Sequence, residues 1–218
     1  RLKIADDNFE RKVQLTVNGK VQTILFGSSP ASNNIHFRLE NGSNVYMTNA
    51  VTVNQMPVLI TNWVNQTLVQ LNSEKVNKIN VKNAQGSFEF SKNADSQWQA
   101  NKTESGGEFD ATKWSSLLSA FTNLNLVEPV SKSIKPEFGL DKPAASITFN
   151  YVNESGEQAT DELLIGNTIE NGNYYVKWSG SDYVFLVSGY NAERILNLKP
   201  SDYSTVPATE TPAAEQDS

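Results

Sequence analysis

Ile24-Leu25-Phe26-Gly27 and Leu163-Leu164-Ile165-Gly166 are the two stretches whose alignment decides the fold. Laid over each other at a constant offset of 139, they open a gap-free correspondence that runs to Thr48 and Val187. Asn34 then falls on Asn173, Arg38 on Lys177, Val45 on Val184, Tyr46 on Phe185 and Met47 on Leu186. Upstream, after a small length difference in a hairpin, Val13-x-Leu15-x-Val17 falls on Ile147-x-Phe149-x-Tyr151. Few positions are identical, but apolar character and turn residues recur together, which marks an internal structural repeat.

Alternation in Val13, Leu15, Val17 and in Ile147, Phe149, Tyr151 is the period of a strand with one buried face. Asn18-Gly19 and Ser155-Gly156 mark tight hairpins, where the chain needs positive φ. Third strands follow at Ile35 to Leu39 and Tyr174 to Trp178, and turns at Asn41-Gly42 and Ser179-Gly180 lead to fourth strands. Each copy is therefore expected to be a four-stranded antiparallel meander, closed by a short helix near Asn54 to Ile60 or Tyr190 to Leu198.

Between the copies, Val76 to Val81, Phe88 to Phe90 and Gln97 to Ala100 read as strands. Asp110 reads as the cap of an amphipathic helix with a stripe of Trp114, Leu117, Leu118, Phe121 and Leu124. The expected fold class is α+β: antiparallel β-meander units repeated twice, with one main amphipathic helix between them. Residues 1–72 form a partial first repeat, 73–203 a complete second repeat with its own hairpin and helix, and 204–218 a disordered tail without apolar periodicity.

Charged residues are 19% of the chain, below the ~25% of ordinary soluble domains. The 25 asparagines fill that gap and make a polar, weakly charged surface that suits an exported protein. Of the net charge of −6, Glu210, Glu215 and Asp217 contribute −3 within the last fifteen residues. Neither figure offers the clustered Lys and Arg that nucleic acid or anionic lipid requires. The absence of cysteine excludes disulfides, thiolate nucleophiles and cysteine zinc sites. No apolar run approaches the roughly 18 residues of a membrane span, and no signal peptide is visible after Arg1.

From Val76 to Tyr203 the chain resembles the bacterial domain of unknown function 4340 family. The features that carry this are the hairpin ending in Trp98, the amphipathic helix, and Phe138-Gly139-Leu140-Asp141-Lys142-Pro143. Leu164-Ile165-Gly166, Tyr174-Tyr175-Val176 and Val184-Phe185-Leu186-Val187 follow. Phe9 to Leu71 looks like the tail of a preceding copy without hairpin and helix. The resemblance implies repeats held outside the cytoplasm, beside ABC-transporter subunits of the gliding-motility type. It also implies an N-terminal membrane helix, which this stretch does not contain, so attachment is expected through a longer parent protein. It carries no catalytic residue.

Residue chemistry points the same way. His36, the only histidine, is expected on an outer strand face with Arg38 and Glu40. The carboxylate pairs Asp6-Asp7, Glu108 with Asp110, and Asp161-Glu162 fit caps and hairpins better than a glycosidase pair, and Asp161-Glu162 becomes Gln22-Thr23 in the other copy. No calcium loop, phosphate-binding loop or Ser-x-x-Lys pair occurs. No catalytic, cofactor-binding or metal residue is expected, and Tyr175 and Tyr183 are weak ligand-binding candidates as exposed aromatics. The leading expectation is a non-catalytic extracytoplasmic scaffold or accessory module of a membrane-associated, ABC-transporter-type complex. A glycan- or polymer-binding module is the alternative and a hydrolase a distant third.

Overall fold

The computed structural model describes residues 2–31 and 33–205. The chain divides into two compact units, Arg1–Val64 and Asn65–Ser218. In the first unit, β1 (Ile4–Ala5) pairs with β2 (Asn8–Phe9), and a four-stranded antiparallel sheet follows in sequence order. Its strands are β3 (Arg11–Val17), β4 (Lys20–Phe26), β5 (Ile35–Leu39) and β6 (Tyr46–Thr48). The β3–β4 turn holds Asn18 and Gly19 at φ of 51° and 74°, as a two-residue hairpin requires.

The second unit contains β7 (Thr67–Gln70), β8 (Val76–Asn83), β9 (Gly86–Lys92), β10 (Trp98–Ala100), α1 (Ala111–Thr122), β11 (Asn123–Asn125) and β12 (Glu128–Ser131). Then come β13 (Ala145–Val152), β14 (Gln158–Thr168), β15 (Tyr174–Trp178), β16 (Val184–Val187) and α2 (Gly189–Leu196). Eight of these strands form one sheet in the order β10-β9-β8-β13-β14-β15-β16-β12. The meander β13 to β16 is thus embedded, with the β8–β9 hairpin on one flank and β12 on the other. The apolar alternation of β8 explains its central place: Val76, Ile79 and Val81 are buried completely.

The repeat is present residue by residue. Val13 faces Ile24 as Ile147 faces Leu163, and Ile24 faces Leu39 as Leu163 faces Trp178. Ile35 faces Thr48 as Tyr174 faces Val187. The glycines have one shared reason: a Cβ on Gly27 would lie 2.0 Å from the carbonyl oxygen of Leu2, and one on Gly166 2.0 Å from that of Phe138. Lys3 and Gly139, the next residues, both take the left-handed conformation, at φ of 50° and 67°. Leu2-Lys3-Ile4 therefore repeats Phe138-Gly139-Leu140, an extension with no sequence identity to reveal it.

Several expectations are corrected. The first unit ends at Val64 rather than residue 72, because β7 pairs with β11 and belongs to the second. Helix α1 stops at Thr122, so Leu124 lies on β11 and not on the helical stripe. Asn123 and Asn125 favour non-helical backbone, and their main chain is taken by β7. The segment from Asn54 to Ile60 is not a helix like α2 but holds 3-10 turns at Val53–Gln55 and Ile60–Asn62. Pro57 between them lacks an N–H and disfavours helical backbone at Met56. Ser204, expected to open a disordered tail, is buried and bridges to Phe109, and the Thr205 amide donates to the Glu108 carbonyl. The remainder of that tail, 206–218, lies outside the described residues.

Candidate functional site

His36 is half-buried, because its strand face lies under the N-terminal segment rather than in solvent. Leu25, on that face, is fully buried, and Arg38 donates from Nε to the Ile4 carbonyl, from Nη1 to the Glu40 carbonyl (2.7 Å) and from Nη2 to Asp6. The His36 Nδ1 sits 2.8 Å from the Ser28 carbonyl oxygen. A carbonyl only accepts, so Nδ1 carries the proton and donates it. That leaves no lone pair there for the Ser28 hydroxyl, 3.4 Å away. This serine–histidine contact is therefore a structural bond, not a nucleophile with its base.

The carboxylates are similarly engaged. Asp110 caps α1, accepting from the amides of Thr112 (2.9 Å) and Lys113 (3.0 Å). Asp161 accepts from the hydroxyls of Tyr151 (2.7 Å) and Ser179 (2.6 Å), and its bond holds the Tyr151 hydroxyl above its ordinary pKa. Glu10 and Glu40 are held below the usual carboxyl range, chiefly by hydrogen bonds from Lys3 and Lys12. Burial, assisted by Asp202 and Glu104, pushes Tyr203 up to about 12. Among the described residues no group of three or more His, Asp or Glu is placed to hold a metal ion.

Tyr175 is not exposed: it is half-buried, with its ring centroid 4.4 Å from that of Phe138. The reason is again the Phe138–Leu140 segment, which covers the face that alternation alone assigned to solvent. Tyr183 is exposed, with the Lys132 Nζ 5.1 Å over its ring and Phe185 6.2 Å away. The two candidate tyrosines pack against different partners.

What stands out instead is the difference between equivalent positions of the two meanders. Phe149 is 0% exposed and its counterpart Leu15 44%; Phe185 is 8% and Tyr46 46%; Leu186 is 4% and Met47 58%. Val17 and Leu39 on the first sheet also face solvent. β3 is an edge strand, pairing with β4 alone among the described residues, whereas its counterpart β13 is flanked by β8 and β14. Beside its start, Arg11 to Gln14 and the residues Met56, Pro57, Val58 and Trp63 line a groove of about 370 Å³. An edge strand with Val13, Leu15 and Val17 at alternate positions, beside exposed aliphatic side chains, is a template for a further strand. Its legible signal was the repeat itself: within residues 1–218 the hairpin stands before the second meander only.

A second groove, of about 440 Å³, lies between β10 and α1 and is lined by Trp98, Trp114, Ser115 and Leu118. The buried indole N–H of Trp114 has no hydrogen-bond partner among the described residues.

No helix among the described residues is long and apolar enough to cross a membrane. The sequence matches the family model described as a domain of unknown function (DUF4340) over residues 1–137 and again over 135–205. No curated protein and no solved structure matches the chain.

Proposed function

The chain belongs to the domain of unknown function 4340 family, and from that premise we propose that it is a non-catalytic, extracytoplasmic interaction module of a membrane-associated complex of ABC-transporter type. One observation carries this: positions that are core in the second copy stand in solvent in the first. Apolar surface of this kind marks sites where a further polypeptide segment packs. The engaged state of His36 and of the carboxylates at Asp110 and Asp161 supports a role in binding rather than turnover.

The test introduces Leu15→Lys with Leu39→Lys into the parent protein and measures its co-purification with transporter subunits from detergent-solubilised membranes. Association should fall at least roughly tenfold, as for loss of an interface anchor, with the fold intact by circular dichroism. Unchanged association would reject the reading.

The groove between β10 and α1 favours a second reading, a glycan- or polymer-binding module. Half-buried Trp98, packed at 5.2 Å between ring centroids on the buried Trp114, is the indole there on which a sugar ring could stack. Titration with soluble polysaccharides would reveal binding that Trp98→Ala removes.

A further inference from the structure

The groove between β10 and α1 is built from one turn, one strand and one helix face. Trp98 of β10 lies opposite Lys92, on the sheet face that carries Phe90, so strand alternation turns its indole toward α1. Across the groove α1 presents Ala111, Trp114, Ser115 and Leu118, the spacing of a single helix face. The near rim is the turn between β9 and β10. Asn93 fixes it: its Oδ1 accepts from the amides of Asp95 (3.0 Å) and Gln97 (2.9 Å), and its own amide donates to the Gln97 carbonyl (2.9 Å). Ser96 is held there at φ of 60°, where a residue with a Cβ seldom sits unless its surroundings impose it. Ser96 and Gln97 thus carry their exposed side chains on a rim shaped in advance, and Ser115 stands exposed on the helix side.

Below the rim the groove is aromatic and rigid. Trp114 is 1% exposed and stacks on Phe90, with ring centroids 3.9 Å apart and 17° between the planes. Trp98 is half-buried and lines the groove with the rest of its indole. No ionisable side chain is among the residues that line it. The neighbouring charges are committed elsewhere. Asp110 caps α1, Lys113 Nζ donates to the Ser204 carbonyl (2.6 Å), and Lys92 Nζ donates to the Glu74 carbonyl (2.7 Å), 5.4 Å from the Trp98 ring centroid.

These features select the ligand. A charged group would lose its hydration here and meet no free counter-charge. A hydrocarbon would cover the side chains of Ser96, Gln97 and Ser115 without replacing their bonds to water. A peptide strand needs an edge to pair with, and β10 is three residues long. A neutral sugar ring satisfies every surface, with an apolar C–H face for the indole and outward hydroxyls for the rim. We propose that this groove is a subsite for one neutral pyranose unit of a polysaccharide, its C–H face on Trp98 and its hydroxyls on Ser96, Gln97 and Ser115. The proposal rests on the glycan-binding reading above and specifies its ligand.

The test titrates the full chain with three neutral polysaccharides (dextran, laminarin and galactomannan), with acidic polygalacturonate, and with poly-L-proline. Tryptophan fluorescence and retardation in affinity gels report binding, and circular dichroism checks the fold of each variant. At least one neutral glycan should bind saturably, and Trp98→Ala should weaken it at least roughly tenfold, as loss of an aromatic anchor does. Trp98→Phe keeps an aromatic face and should keep most of the binding. Ser115→Lys, at an exposed helix position, should weaken the neutral glycan and admit polygalacturonate. Should Trp98→Ala unfold, unchanged neutral binding in Ser115→Lys would overturn the proposal. Wild-type preference for polygalacturonate, lost in Lys92→Gln, would keep a glycan site and overturn its neutrality. Neutral binding untouched by Trp98→Ala would place the site elsewhere and overturn the proposal. Saturable binding of poly-L-proline in place of the glycans would make this a peptide groove and overturn it as well. Binding of none of the five would sink the glycan reading and the proposal together.

Discussion

Single residues fix what each position tolerates. Tyr203 is buried with a hydroxyl that has no partner among the described residues, and an unsatisfied buried group costs free energy that its removal returns. Tyr203→Phe is therefore expected to leave stability unchanged or raise it by up to about 1 kcal/mol in urea unfolding at pH 7. The same burial raises its pKa to about 12. With the folded pKa above the unfolded value of about 10, this stability is complete below pH ~10 and lost as pH rises toward 12. Tyr203→Phe should flatten that alkaline limb, and an unchanged pH profile would contradict the assignment. Gly27→Ala and Gly166→Ala push a methyl into a backbone carbonyl, so both should lower the midpoint of unfolding of their own unit. A silent Gly166→Ala would mean that the Phe138 segment is not seated there.

At the scale of elements, the stripe of α1 was legible because Trp114, Leu118 and Phe121 recur at helical spacing, and all three are buried. Phe121→Ala should cost about 3–5 kcal/mol as a large-to-small core change, and Asp110→Ala about 0.5–2 kcal/mol through loss of the cap. Losses below about 1 kcal/mol for Phe121→Ala, measured by denaturant unfolding, would make the helix peripheral. The exposure of His36 and Tyr175 was misjudged for one reason. Strand alternation separates two faces but does not say which has a cover, and short segments around Ile4 and Phe138 cover the second face in each unit.

For the molecule as a whole, the two units differ in core. Among the described residues the first holds four buried apolar side chains, Ile4, Leu25, Phe26 and Ile35, against 29 in the second. So small a core is marginal by itself, and the first unit should unfold first in urea. Amides of β4 and β5 should exchange faster than those of β13 and β14, whereas a single coincident transition by both probes would refute this. The sequence by itself determined the repeat, the strand order within each meander, the hairpins and the helix stripe, because periodicity and turn residues are local and survive divergence. Only the tertiary structure decided that Leu2-Lys3-Ile4 repeats Phe138-Gly139-Leu140, and that β7 joins the second unit. It also decided that Leu15 and Leu39 stand open where Phe149 and Trp178 are core. The pattern says which side chains want burial; whether they obtain it depends on which neighbouring elements are folded against them.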